Sequence, residues 1–126
     1  MPFQNILHID DDADDHEIFN SALRKVNNAI NYTALTNARN ALTSLIAKKL
    51  RPDVIFLDLN LSEMSGQQFL VELKKSESLR HIPVIIFSTS SHSGTIELTK
   101  ELGAYGFITK PNSFDRLVQI LSSVLA

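Results

Sequence analysis

Two runs in this chain, Val54-Ile55-Phe56-Leu57 and Val84-Ile85-Ile86-Phe87, contain no polar position. A strand that alternates apolar and polar residues can leave one face in water. One that is apolar throughout has to be covered on both faces, as central strands of parallel sheets are. Helices are the natural cover, because each parallel pair needs a long crossover. The remaining sequence supplies such crossovers. Ile6-Leu7-His8-Ile9 reads as a first strand, after which Ile18, Phe19, Ala22, Leu23 and Val26 recur at helical spacing until Asn27-Asn28. Asn31 to Leu35 is a weaker strand whose polar alternation suits a sheet edge. Thr36-Asn37 then caps a helix carrying Ala41, Leu42, Leu45 and Ile46, which Arg51-Pro52-Asp53 breaks. The turn Asn60 to Gly66 leads into a helix with Phe69, Leu70 and Leu73. A further helix around Ile96, Leu98 and Leu102 ends at Gly103, before a short strand Gly106 to Thr109. Phe114, Leu117, Val118, Leu121, Val124 and Leu125 make the cleanest amphipathic stripe. The expected class is α/β, with five strands and five helices.

Composition narrows the functions open to such a fold. With 126 residues, 44% of them apolar, and no repeat, linker or composition shift, residues 1–126 are expected to form a single domain with no output domain attached. The absence of Cys excludes disulfides, thiolate metal sites and a thiol nucleophile. Twelve Lys and Arg against fourteen Asp and Glu, a net charge of -2, lack the basic excess of a nucleic-acid-binding domain, so direct nucleic-acid binding is not expected. The apolar runs are far shorter than the roughly 20 residues of a membrane helix, and the first residues lack a signal-peptide pattern. A cytoplasmic protein without membrane contact is the expectation.

Ligands of open parallel sheets bind outside the carboxyl ends of the strands. Those ends carry Asp10-Asp11-Asp12, Asp58, Ser88-Thr89 and Lys110-Pro111, and right-handed crossovers bring all of them to one rim. Carboxylates gathered there repel one another unless a cation or protons relieve them. An all-oxygen set selects a hard cation, with Mg²⁺ the natural companion of phosphoryl chemistry. Asp14, Asp15 and Glu17 are read differently, as acids favoured in a helix's first turn. His8, His16, His81 and His92 lack metal-binding spacing and are read as surface or packing residues, and Tyr105 as an exposed loop aromatic.

Four segments together resemble a bacterial two-component response-regulator receiver domain, similar to the stand-alone chemotaxis receiver, over essentially the whole chain. They are Ile6 to Asp12, Pro52 to Leu61, Pro83 to Ser88 and Gly103 to Pro111. The resemblance implies a flavodoxin-like, doubly wound, five-stranded parallel sheet of order 2-1-3-4-5. It implies that Asp58 is the phosphoacceptor, taking a phosphoryl group from a phosphohistidine of a sensor histidine kinase or phosphotransfer protein. It further implies Mg²⁺ held by Asp11, Asp58 and the Asn60 backbone oxygen, with Asp10 acting through water. Ser88, Thr89 and Lys110 would bind the phosphoryl group, Phe107 would be the switch aromatic, and the Lys110–Pro111 peptide bond would be cis. A downstream target, or a second copy in a homodimer, would use the face of the fourth helix, fifth strand and fifth helix. Such a protein either switches its contacts with a target or passes the group to a His domain along a phosphorelay; it is a signalling phosphoacceptor that catalyses its own phosphorylation and dephosphorylation rather than an enzyme acting on a separate substrate.

Two residues depart from the pattern. Ser62 stands where many members have Pro, which predicts a looser turn after Asp58, and Phe107 stands where the chemotaxis receiver has Tyr. Among alternatives, a haloacid-dehalogenase-type phosphotransferase needs an acid two residues after the nucleophile, where this chain has Asn60. A phosphorylation-independent binding module would not need Asp58, Lys110 and the acidic pair. Flavodoxin-like cofactor binding would want a Gly/Ser/Thr-rich phosphate loop in place of the aspartates at 10 to 15.

Overall fold

The computed structural model describes residues 3–90 and 92–125; Met1, Pro2, Ser91 and Ala126 of the expected domain lie outside the described residues. Strands and helices alternate without exception: β1 (Asn5–Ile9), α1 (Ala13–Val26), β2 (Asn31–Leu35), α2 (Ala38–Ile46), β3 (Val54–Leu57), α3 (Gly66–Lys75), β4 (Val84–Ser88), α4 (Ser93–Glu101), β5 (Gly106–Thr109) and α5 (Phe114–Leu125). The five strands form one parallel sheet in the order β2-β1-β3-β4-β5.

Both all-apolar runs lie inside the sheet, β3 at its centre and β4 beside it, buried at every position. The alternating Asn31–Leu35 segment is an edge strand. Because side chains alternate across a strand, two separate cores result. Ile6, Val54, Phe56, Ile85 and Phe87 pack under α1 and α5 with Phe19, Leu23 and Leu121. Leu7, Ile9, Ile55, Leu57 and Ile86 pack on the other face with Leu45, Phe69, Leu70 and Leu73.

Helix ends follow from their local chemistry. The Asp12 carboxylate accepts from the Asp14 N–H and caps α1, Asn37 caps α2 through the Asn40 N–H, and Ser65 with Gln68 forms a capping box on α3. The His92 ring accepts from the Gly94 N–H and caps α4, a role its spacing did not suggest. Helix α2 ends in a Schellman turn: the Lys48 N–H donates to the Leu45 carbonyl at 3.1 Å and the Lys49 N–H to the Ser44 carbonyl at 2.9 Å. Lys48 takes the left-handed position of that turn with φ 61°, where glycine is the usual residue.

The topology also separates charge. Every helix runs away from the rim where strands end, and the last turns of α1, α3 and α4 carry Arg24, Lys25, Lys74, Lys75 and Lys100. The α2–β3 and α3–β4 loops add Lys48, Lys49, Arg51 and Arg80. The acids from Asp10 to Glu17, with Asp58, sit at the opposite rim. Among the described residues no helix is long and apolar enough to cross a membrane.

Candidate functional site

Backbone pairing continues one residue past three strands, and this anchors the key side chains. The Asp10 N–H donates to the Leu35 carbonyl at 3.1 Å, the Asp58 N–H to the Ile9 carbonyl at 3.0 Å, and the Lys110 N–H to the Ser88 carbonyl at 2.8 Å. The expected strand-end residues therefore start from rigid positions on one rim. Asp10 is fully buried, Asp58 is 6% exposed and Asp11 is exposed; a carboxylate oxygen from each of the three lies within 4.8 Å of the others.

Lys110 holds this negative charge together. Its Nζ donates to Asp10 Oδ2 at 2.8 Å, to Asp15 Oδ2 at 2.8 Å and to Asp58 Oδ2 at 3.3 Å. Burial by itself would lower the Lys110 pKa, but the hydrogen bonds to Asp10 and Asp15 and the charges of Asp10 and Asp58 outweigh it and hold the ammonium above its ordinary range. For Asp10, burial dominates and raises the carboxyl, against the opposing Lys110 bond and the Asp12 N–H at 3.0 Å. Asn60, exposed in the following loop, donates its N–H to Asp58 Oδ1 at 3.3 Å.

Ser88 is fully buried beside this group, and its Oγ has no hydrogen-bond partner among the described residues. A buried hydroxyl without a partner costs roughly 1–3 kcal/mol, so the position is suited to a ligand oxygen. Three carboxylates open to solvent through Asp11 fit a hard divalent cation. Thr89 is exposed and lines one depression with Phe107, Lys110 and Pro111. Phe107 is half-buried, with one side against the α2–α3 core.

Several expectations need correction. The Lys110–Pro111 bond is trans, since there is no cis peptide bond among the described residues. Trans is the lower-energy isomer before proline by about 0.5–1 kcal/mol, and from this backbone Nζ already reaches all three carboxylates. Asp15, read as an ordinary first-turn acid, belongs to the site through Lys110; Asp14 and Glu17 stay exposed as expected. The turn after Asp58, which carries Ser62, is closed by hydrogen bonds. The Leu61 and Gly66 N–H groups both donate to the Leu59 carbonyl at 3.1 Å, and Asn37 Nδ2 donates to Glu63 Oε2 at 3.2 Å. Gly66, passed over in the sequence as a turn residue, lies against this backbone: a Cβ there would be 2.5 Å from the Asp58 carbonyl oxygen. Its only trace in the sequence is a glycine opening a helix, where glycine is otherwise unfavourable.

His8 is a packing residue, as expected, but a demanding one. It is fully buried among Phe19, Tyr32, Phe87 and His16, with Nδ1 2.8 Å from the Tyr32 hydroxyl. That hydroxyl donates to the His16 carbonyl at 3.2 Å, so Nδ1–H is the donor of the first bond. The 3.8 Å approach of His8 to Asp10 is not an ion pair, because burial first, then the charges of His16 and Lys110, lower the His8 pKa to about 3. The unfolded chain protonates His8 near 6.5 and the folded chain only near 3. Stability is therefore full above pH 6.5 and falls as pH drops, by about 1.4 kcal/mol per unit. The loss expected at pH 5 is about 2 kcal/mol. His8→Phe should lack most of that slope, measured by urea unfolding between pH 7 and pH 5; equal slopes would show that folded His8 takes up protons in this range.

Comparison with known proteins decides the family. The model of the response regulator receiver domain matches residues 6–122. The chain belongs to that family. This receiver is 34% identical over 114 residues to the polar-differentiation response regulator DivK of Brucella anthropi, covering 90% of this chain and 92% of that protein. Among solved structures it is similar to the phosphorylated cyanobacterial phytochrome response regulator RcpA, with a TM-score of 0.87 and 28% identity over 96% of this chain and 90% of that one. The Mn²⁺-bound form of response regulator Rcp1 gives a TM-score of 0.85 and 25% identity over 96% and 91%. The Vibrio cholerae chemotaxis protein CheY4, at 24% identity and a TM-score of 0.80 over 97% and 98%, shares the fold of this receiver. It is accordingly a two-component signalling protein rather than an enzyme in the ordinary sense.

Proposed function

We propose that this receiver accepts a phosphoryl group on Asp58 from a phosphohistidine of a sensor histidine kinase or phosphotransfer protein, with Mg²⁺ as cofactor. The observation that carries this reading is the Lys110 ammonium bonded to Asp10, Asp15 and Asp58 beside the unpartnered Ser88 hydroxyl. An Asp58 carboxylate oxygen attacks phosphorus, the P–N bond to the donor imidazole breaks, and an acyl phosphate forms. A carboxylate nucleophile carries no proton, so no residue has to take one. Lys110 moves its bond from the carboxylate to a phosphoryl oxygen, and Ser88 Oγ gives a second phosphoryl oxygen the partner it lacked. Thr89, at the mouth of the site, flanks the same oxygens. Asp11, Asp58 and the Asn60 carbonyl, with Asp10 acting through water, would hold the cation, which would supply neutralising charge to the transferring group. The RcpA and Rcp1 structures, described as phosphorylated and Mn²⁺-bound, support this assignment by analogy.

The signal passes to protein partners, either a target docking on α4, β5 and α5 or a second copy using that face. Ser88 and Phe107 connect the site to it: drawing the Ser88 hydroxyl toward phosphate vacates space that the half-buried Phe107 ring can fill. A small acyl phosphate with Mg²⁺ should add one phosphoryl group by intact mass, located to Asp58. Asp58→Asn and chelation should each abolish it. Labelling of Asp58→Asn at the wild-type level would overturn the assignment.

A further inference from the structure

The rim where the strands begin holds a second cavity, of about 300 Å³, between the α2–β3 and α3–β4 loops. Its floor is apolar, made by Leu45, Leu50, Leu79 and Ile82, and its edge carries Lys48 and Arg51. Lys49 and Arg51 also edge a smaller hollow beside the start of β1, and Arg80 adjoins the first. Among the described residues the side chains of Lys48, Lys49, Arg51 and Arg80 make no ion pair. Of the two acids in these loops, Asp53 is engaged by the N–H groups of Gln4 and Asn5 at 2.9 Å. Asp53 and Glu77 are the two acids that these loops set against four cations.

Cations near helix C-termini are ordinary, and their number would carry nothing. Lys48 is different. It occupies the left-handed position of the α2 Schellman turn at φ 61°, where any Cβ is strained and glycine is not. The strained backbone sets the Lys48 ammonium at the cavity's edge at a conformational cost that glycine would not carry.

We propose that this cavity docks an acidic, leucine-like segment of a partner protein, its aliphatic side chains on the floor and its carboxylates on Lys48, Arg51 and their neighbours. The apolar floor suits aliphatic side chains better than a phosphate backbone, and the net charge of -2 opposes a long polyanion. Because the cavity is at the opposite end of the sheet from Asp58, a bound segment leaves the acidic rim open. The inference stands independently of phosphoryl transfer.

The probe is a fluorescein-labelled octapeptide of alternating Glu and Leu, with the Gln/Leu peptide as control, followed by anisotropy and amide NMR shifts. The Glu/Leu peptide should bind, weaken as salt is raised, and shift Lys48, Leu50, Arg51 and Ile82; the control should not bind. Lys48→Gly should bind about fivefold more weakly while raising the urea midpoint and leaving labelling of Asp58 unchanged. That combination separates a lost contact from a damaged fold. The proposal is overturned by equal binding of the Gln/Leu peptide, by unchanged affinity in Lys48→Gly, or by a lowered midpoint in that variant. Equally tight binding of duplex DNA, or self-association abolished by Lys48→Gly, would overturn it in favour of those occupants.

Discussion

Lys110→Met is expected to destabilise the metal-free protein by about 3 kcal/mol, because breaking a buried ion pair from one side leaves charge uncompensated. The side chains of Lys110 and Asp58 are 12% and 8% exposed and that of Asp10 is fully buried. Once the ammonium is gone, Asp10, Asp15 and Asp58 face one another without a cation, and the fold has to protonate them or splay apart. Mg²⁺ should restore part of the loss by binding only the folded state. Urea unfolding in chelator and in excess Mg²⁺ measures both effects. As a comparison, Lys75→Met removes an exposed pair with Glu72 at 3.1 Å and should change little. A Lys110→Met midpoint equal to wild type in chelator would show that the carboxylates are already protonated or held apart.

Gly66→Ala is expected to cost about 2–3 kcal/mol, an unusual penalty for the first residue of a helix, where alanine is normally the better former. The added Cβ would lie 2.5 Å from the Asp58 carbonyl oxygen and 2.7 Å from the Leu59 Cα. Both obstacles are backbone, so no rotamer change relieves the clash and either α3 or the chain after Asp58 has to move. That chain carries Asn60, whose N–H orients Asp58 Oδ1, so labelling of Asp58 should slow along with the loss of stability. Unmoved amide shifts at Asp58, Leu59 and Asn60 would place the adjustment in α3 instead and separate the two effects.

Local chemistry made most of the architecture legible. β2, β3 and β5 fall on the expected residues because apolar runs and their breakers are contiguous signals, and the edge position of β2 follows from its polar alternation. β4 runs one residue further than its apolar stretch, through Ser88, because pairing with Thr109 extends the ladder. The convergence of Asp10, Asp11, Asp58, Ser88 and Lys110 was legible from the strand-end rule. Asp15 was not: its role depends on a lysine 95 positions away, and a first-turn acid satisfies the helix rule equally well. His8 shows the same limit, since no local pattern distinguishes a histidine facing Phe19 and Tyr32 from one facing solvent. Gly66 was hidden because glycine reports what must not be present, and the backbone it makes room for belongs to another segment.

The Lys110 bonds to Asp10 and Asp58 span 100 and 52 residues of sequence. On a ribosome the aspartates emerge first, and they stay without their counter-charge until β5 has been made and has paired with β4. Contacts of such separation form late, after the loop entropy between them has been overcome. A chain arrested before Lys110 would display a bare acidic rim and no assembled site. The charge-balanced cluster thus forms only together with the last strand of the sheet.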